Sequence, residues 1–308
     1  MTEQLLERLT SPTGNSAPLS HRPWFVWLTA ALTLAMVITI AGELFGSGLA
    51  GLKRAVPTSG MFYACFVLLY LSAPAADLLI YRLLWRLPWL SGFAALNHKR
   101  NANDLVLGHS GDVYFYGWAR THAQAVEAPF GAVKDVTLLS GVAGNMATVV
   151  LCLVAFPLSY GMIPPRLLTA AAASAAIILG FSLAVLAFSR RVFSLPRARR
   201  WMIFLVHCAR IAVSTVLLAL CWHFALPAVP ATAWFLLSAA RLLVSRLPLL
   251  PNKDLLFANL AIFMLGQNRA LSELIAFSAA LTLLVNGLLL AVMGLGHMLA
   301  RVRSWRVA

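Results

Sequence analysis

The sequence predicts an all-α polytopic membrane protein, with about seven spanning helices, two candidate re-entrant hairpins and an internal repeat. Three observations carry that prediction. Of 308 residues, 61% are hydrophobic and only 11% charged, whereas soluble domains run near 45–50% apolar and about 25% charged. Mean hydropathy is +0.83. Apolar runs such as Leu167–Phe188 continue for about twenty residues, enough to cross a ~30 Å hydrocarbon core at about 1.5 Å per residue. Disorder is excluded, because it needs low hydrophobicity and dense charge. An outer-membrane barrel is excluded as well, because its strands alternate polar and apolar residues in segments of about 10.

Residues 1–22 are polar, with Ser11, Pro12, Gly14, Asn15 and Pro18, and are expected to form a cytoplasmic tail. A signal peptide would place its apolar stretch nearer the start and follow it with a small-residue cleavage site. A single transmembrane domain is expected over 23–300, followed by a basic tail at 301–308. Its spans begin with Trp24–Gly42. Met61–Trp85 follows, interrupted by Pro74 and carrying Asp77 and Arg82. Val136–Phe156 is entered through Lys134 and Asp135. The remaining spans are Leu167–Phe188, Trp201–Trp222, Ala231–Val244 with its flanks, and Leu271–Leu299.

Two stretches fit neither a span nor a loop. Leu87–Phe130 is apolar, turns polar through Asn97, His98, Lys99, Arg100, Asn101, Asn103 and Asp104, and becomes apolar again. Leu247–Gln267 opens on LPLLPNKD and continues with about eleven apolar residues, too few to span. Lipid cannot hydrogen-bond an exposed backbone, so a segment that enters and returns must be shielded by protein or line a wet cavity. Both are expected to be re-entrant hairpins.

With 24 Lys and Arg against 10 Asp and Glu, the formal charge is +14. In a soluble chain that would suggest nucleic acid. Here the cations flank apolar runs, as Arg190, Arg191, Arg197, Arg199 and Arg200 do, so the positive-inside rule and anionic headgroups account for them. The expected location is the cell inner membrane, multi-pass, with no nucleic-acid partner. Cys65, Cys152, Cys208 and Cys221 lie inside apolar runs without CxxC spacing and read as small core residues.

The tetrad Arg86-Leu87-Pro88-Trp89 recurs as Arg246-Leu247-Pro248-Leu249. Each copy follows a helix with an earlier cation (Arg82, Arg241). Each precedes a hairpin, an acid opening a long helix (Asp135, Glu273) and an asparagine further along it (Asn145, Asn286). The repeat-like units run over about 61–157 and 231–296. Transporters are often built from such repeats, with discontinuous helices meeting at a shared site.

The segment GHSGDVYFYGWAR (Gly108–Arg120), the helix opened by Asp135, and RLPLLPNKD with the C-terminal LGQNRALSELIAFSAALTLLVNGLLL resemble the transmembrane domain of the lysylphosphatidylglycerol synthase/flippase superfamily. Gly111-Asp112 matches that family's Gly–acid pair, Arg120 a downstream basic position, Asp135 the helix-opening acid, and Pro248 and Pro251 the second hairpin. The resemblance is to the membrane unit alone, without a soluble aminoacyl-transferase domain. It implies movement of lipids or lipid-linked glycans, and it does not imply aminoacyl transfer.

Ionisable groups inside apolar segments are the natural site candidates, because each is costly unless paired or hydrated. Arg82, Arg210, Arg241, Arg246 and Lys253 are expected to hold an anionic headgroup, since a guanidinium donates two bonds to neighbouring oxygens. Hairpin helix N-termini would add positive dipole ends. Asp77, Asp112, Asp135 and Glu273 would balance those cations or relay protons, with Asn145 and Asn286 as polar helix positions. The bland alternative pairs Asp77 with Arg82, Asp135 with Arg120 and Glu273 with Arg269. His98, His109 and His122 are more than ten apart, unlike helical metal ligands, so no metal is expected. No P-loop or GxGxxG occurs, and no cofactor is expected. Ser110 beside His109 lacks a nucleophile-elbow context.

The function these residues favour is flippase-like movement of an anionic lipid or lipid-linked glycan, transporter rather than enzyme. The alternatives are a membrane-embedded lipid-phosphate or glycan transferase and a non-catalytic subunit of envelope biosynthesis. The expected partners are the lipid substrate, the membrane, and envelope-biosynthesis proteins or a second copy.

Overall fold

Eight α-helices and no strands make up the described residues of this computed structural model: 56–105, 110–122, 129–158, 193–245, 253–265 and 269–305, with a few scattered positions elsewhere. In chain order they are α1 (Gly60–Trp85), α2 (Trp89–Leu105), α3 (Ser110–His122), α4 (Pro129–Leu158), α5 (Arg197–Ala225), α6 (Ala231–Val244), α7 (Lys253–Leu265) and α8 (Arg269–Trp305). Four of them, α1, α4, α5 and α8, are long and apolar enough to cross a membrane, so this is a membrane protein. They correspond to the second, third, fifth and seventh segments expected from the sequence.

Among the described residues, four of the about seven expected spans form helices long enough to cross a membrane. The sixth segment, α6, has 14 residues, about 21 Å at 1.5 Å per residue, short of the ~30 Å core. The segments Trp24–Gly42 and Leu167–Phe188 lie outside the described residues, apart from isolated positions. Large apolar side chains stand exposed on all four long helices, among them Leu68, Leu153, Leu205 and Leu288. In water such surfaces would be a liability; in lipid they are solvated.

Local chemistry sets the breaks. α1 ends where Arg86 turns left-handed, at φ 53°, two residues before Pro88, which disfavours helix in the residue ahead of it. Arg82 braces this turn. Its Nη1 donates to the Leu87 carbonyl at 2.6 Å, and its guanidinium lies 3.8 Å above the Trp89 ring. Extended prolines, Pro196 and Pro230, precede α5 and α6, where a missing N–H costs little.

The polar run Asn97–Asp104 is helical, forming the second half of α2. α3 folds back along it in the opposite direction. Ser110 Oγ donates to the Ala102 carbonyl at 2.8 Å and Gly111 N to Asn103 Oδ1 at 2.7 Å, while further along the His98 and Tyr114 rings lie 4.1 Å apart. The approach requires glycine at 111, because a Cβ there would meet the Lys99 carbonyl oxygen at 1.8 Å.

Two apolar cores result. One joins the C-terminal half of α1 to α2, α3, α4 and the start of α5, around Tyr81, Phe115 and Val136. Phe115 is fully buried there. The other core joins the N-terminal half of α1 to the end of α5 and to α6, α7 and α8, around Phe62, Trp222, Trp234 and Phe257. The polar groups gather between and beside these cores.

Candidate functional site

Pro74 creates the first element of the site. Lacking an N–H, it leaves the carbonyl four residues earlier, that of Tyr70, without its helical partner. Arg100 of α2 fills the gap: its Nη1 donates to the Tyr70 carbonyl, and its guanidinium sits 4.3 Å above the Tyr70 ring. The Tyr70 hydroxyl lies 3.0 Å from Asn101 Oδ1 and 2.5 Å from Asn286 Oδ1. A mid-helix proline thus ties α1 to the end of α2, and the Tyr70 hydroxyl ties it to α8.

Around this tie opens a cavity of about 390 Å³. α1 contributes Tyr70 and Ser72. The end of α2 contributes Arg100, Asn103 and Asp104; α5 contributes Arg210 and Ser214; α6 contributes Ser238 and Arg241. The start of α7 brings Lys253 and Asp254, and α8 brings Thr282 and Asn286. The end of the first polar stretch and the start of the second therefore face the same space. Its apolar wall includes Phe66, Leu69, Leu218 and Leu283. Four cations stand against two carboxylates. Arg100 lies 3.6 Å from Asp104, and Arg241 lies 2.8 Å from Asp254. Lys253 Nζ donates to the Ser245 carbonyl at 2.8 Å.

Behind the cavity is a sealed cluster. Lys99 is 7% exposed, with its Nζ 3.2 Å from both Asp77 Oδ2 and Asp112 Oδ1 and between the Tyr81 and Phe115 rings, 5.6 and 5.7 Å from their centroids. Burial favours loss of its proton. Asp77, Tyr81 and Asp112 outweigh burial and hold the ammonium above the usual lysine range. Asp112 also accepts from Thr137 Oγ1 at 3.2 Å, so the cluster fastens α1, α2, α3 and α4 together.

Of the residues expected to bind substrate, Arg210, Arg241 and Lys253 line the cavity, as does Asn286, while Arg82 braces the α1–α2 turn instead. Arg246 lies outside the described residues. Asp77 and Asp112 meet Lys99, not Arg82. Asp135 is fully buried, and its Oδ2 accepts from the Ser194 and Leu195 N–H groups at 2.7 Å each; Arg120, the partner expected for it, is exposed beside Tyr116. Glu273 pairs with Arg269 at 3.0 Å, as the bland alternative had it. Asn145 is half-buried on α4. α7 brings its N-terminus to the cavity, whereas the α3 N-terminus faces Lys99 and Asn103.

Sequence reasoning missed Lys99, Arg100, Asp104 and Ser238. One signal was available: Tyr70, Asp77 and Tyr81, spaced by seven and four, share a face of α1, and a polar face on a spanning helix needs polar partners. Compared with known proteins, the chain matches no family model, no curated protein and no solved structure.

Proposed function

We propose that this membrane protein moves an anionic lipid or lipid-linked glycan across or within the bilayer, in the manner of the flippase-like family its motifs resemble. The headgroup enters the cavity while the acyl chains stay in lipid. The observation that carries this reading is the meeting of the two polar stretches at one cavity with four cations against two carboxylates. Its volume falls within the 300–1,000 Å³ usual for ligand sites and suits a headgroup, with no room for two acyl chains as well. The mixed wall agrees, with Arg210, Arg241 and Lys253 lining the same cavity as Phe66, Leu69 and Leu283. The recurrence of cation, proline-bounded turn, acid and asparagine supports a duplicated transporter-like unit, multi-pass in an inner membrane.

The test is transbilayer movement in proteoliposomes carrying a fluorescent phosphatidylglycerol, quenched from outside. Wild-type protein is expected to move the label faster than protein-free vesicles do. Ala73→Phe, which places a ring on the cavity wall, is expected to return the rate to that baseline. A wild-type rate equal to protein-free vesicles ends the translocase reading.

A further inference from the structure

The four cavity cations are not equivalent. Arg100, Arg241 and Lys253 each have a carboxylate or carbonyl partner within the cavity wall. Arg210 has no carboxylate within ion-pair distance among the described residues. The acid close enough to act on it, Asp77, is itself held 3.2 Å from Lys99. Arg210 makes one long hydrogen bond, 3.4 Å from Nη2 to Ser140 Oγ, and its buried Nε has no acceptor. Ser238, on the α6 wall of the same cavity, is 3% exposed, and its hydroxyl also lacks a partner.

Water could satisfy the hydrogen bonds of these groups, but it would not neutralise a guanidinium set in an apolar helix. The missing complement is an anion rich in acceptor oxygens. Phosphate meets both needs, because two of its oxygens match the guanidinium fork and a third accepts from a hydroxyl.

We propose that Arg210 and Ser238 form a phosphate seat in this cavity, which takes the phosphodiester of a lipid headgroup. The lipid source rests on the function proposed above; the phosphate chemistry does not. Arg210 supplies charge and the bidentate fork, Ser238 the third donor, and the paired Arg100 and Arg241 hold the cavity's shape.

The experiment is calorimetric titration of the purified full chain in maltoside micelles, which carry no phosphate. The probes are dihexanoyl phosphatidylglycerol, glycerol 3-phosphate, inorganic phosphate and phosphate-free dihexanoylglycerol. Wild type is expected to bind the phospholipid about tenfold or more tighter than the phosphate-free lipid. Arg210→Gln should erase that preference. Arg210→Lys, which keeps charge but loses the fork, should weaken phospholipid binding about threefold or more, as should Ser238→Ala. If Arg210→Gln is not recovered folded, these two variants decide. Variants that bind the phospholipid as wild type does overturn the seat and leave the lipid reading standing. Wild-type binding of glycerol 3-phosphate or phosphate that depends on Arg210, without lipid binding, sustains the seat and removes the lipid source. Binding of no phosphorylated probe overturns both.

Discussion

Lys99, buried, and Arg210, half-buried, are two cations of the same helix bundle, and they are treated in opposite ways. Lys99 has two carboxylates at 3.2 Å and an aromatic ring on either side. Arg210 has one serine at 3.4 Å and a cavity in front of it. A buried charge is tolerable when neutralised and hydrogen-bonded, and otherwise it costs several kcal/mol. Full neutralisation makes Lys99 a fastener. The guanidinium without a local acid holds binding energy in reserve, released when an anion arrives.

The contrast can be broken most severely at Lys99. Lys99→Met leaves Asp77 and Asp112 facing each other without a cation, and we expect a loss of about 3–5 kcal/mol, read as a lowered thermal midpoint in detergent. The raised lysine value fixes the pH course of that penalty. Stability from a raised group is fully present below its unfolded-state value, about 10.4, and fades only as pH rises through the higher folded value. The deficit of Lys99→Met against wild type should therefore stay constant from about pH 7 to about pH 10, and a deficit that shrinks within that window would contradict the cluster.

Gly111→Ala attacks the same fastener sterically. Its Cβ would meet the Lys99 carbonyl at 1.8 Å, and that backbone cannot rotate away as a side chain would. We expect about 3 kcal/mol, the upper end of ordinary overpacking, by the same thermal assay. Asp135→Asn removes charge from two 2.7 Å hydrogen bonds that hold the approach to α5. A loss of about 1.5–3 kcal/mol is expected, with faster proteolysis around Ser194. The smallest loss sharpens the comparison most: Arg210→Met should leave the ligand-free protein no less stable than wild type, because it removes a charge without a local acid and leaves no described acid unpaired, yet abolish headgroup transport. A penalty as large as that of Lys99→Met would place Arg210 among the fasteners.

Much of the framework is legible in the residues. Four long apolar helices follow from four long apolar segments, and the Arg86–Trp89 turn falls where a proline demands it. Arg210, Arg241, Lys253 and Asn286 converge because an ionisable or amide group on an apolar helix must face something polar. Arg82 shows where that rule stops. It satisfies itself within its own turn, so the same chemistry gives a brace instead of a site. Lys99 and Arg100 were obscured by their polar neighbours, which read as the polar middle of a hairpin until α3 closes over them.

Composition and apolar run length by themselves determined that this chain forms helices in lipid, because the cost of unpaired backbone there leaves few other solutions. Proline and glycine positions determined where helices stop and where two backbones can touch. Which cation is neutralised and which waits could be decided only by tertiary structure. Ion pairing and hydrogen bonding depend on distances of a few ångströms between residues far apart in the chain, such as Asp77 with Lys99 and Tyr70 with Asn286, and those distances exist only after the helices have packed.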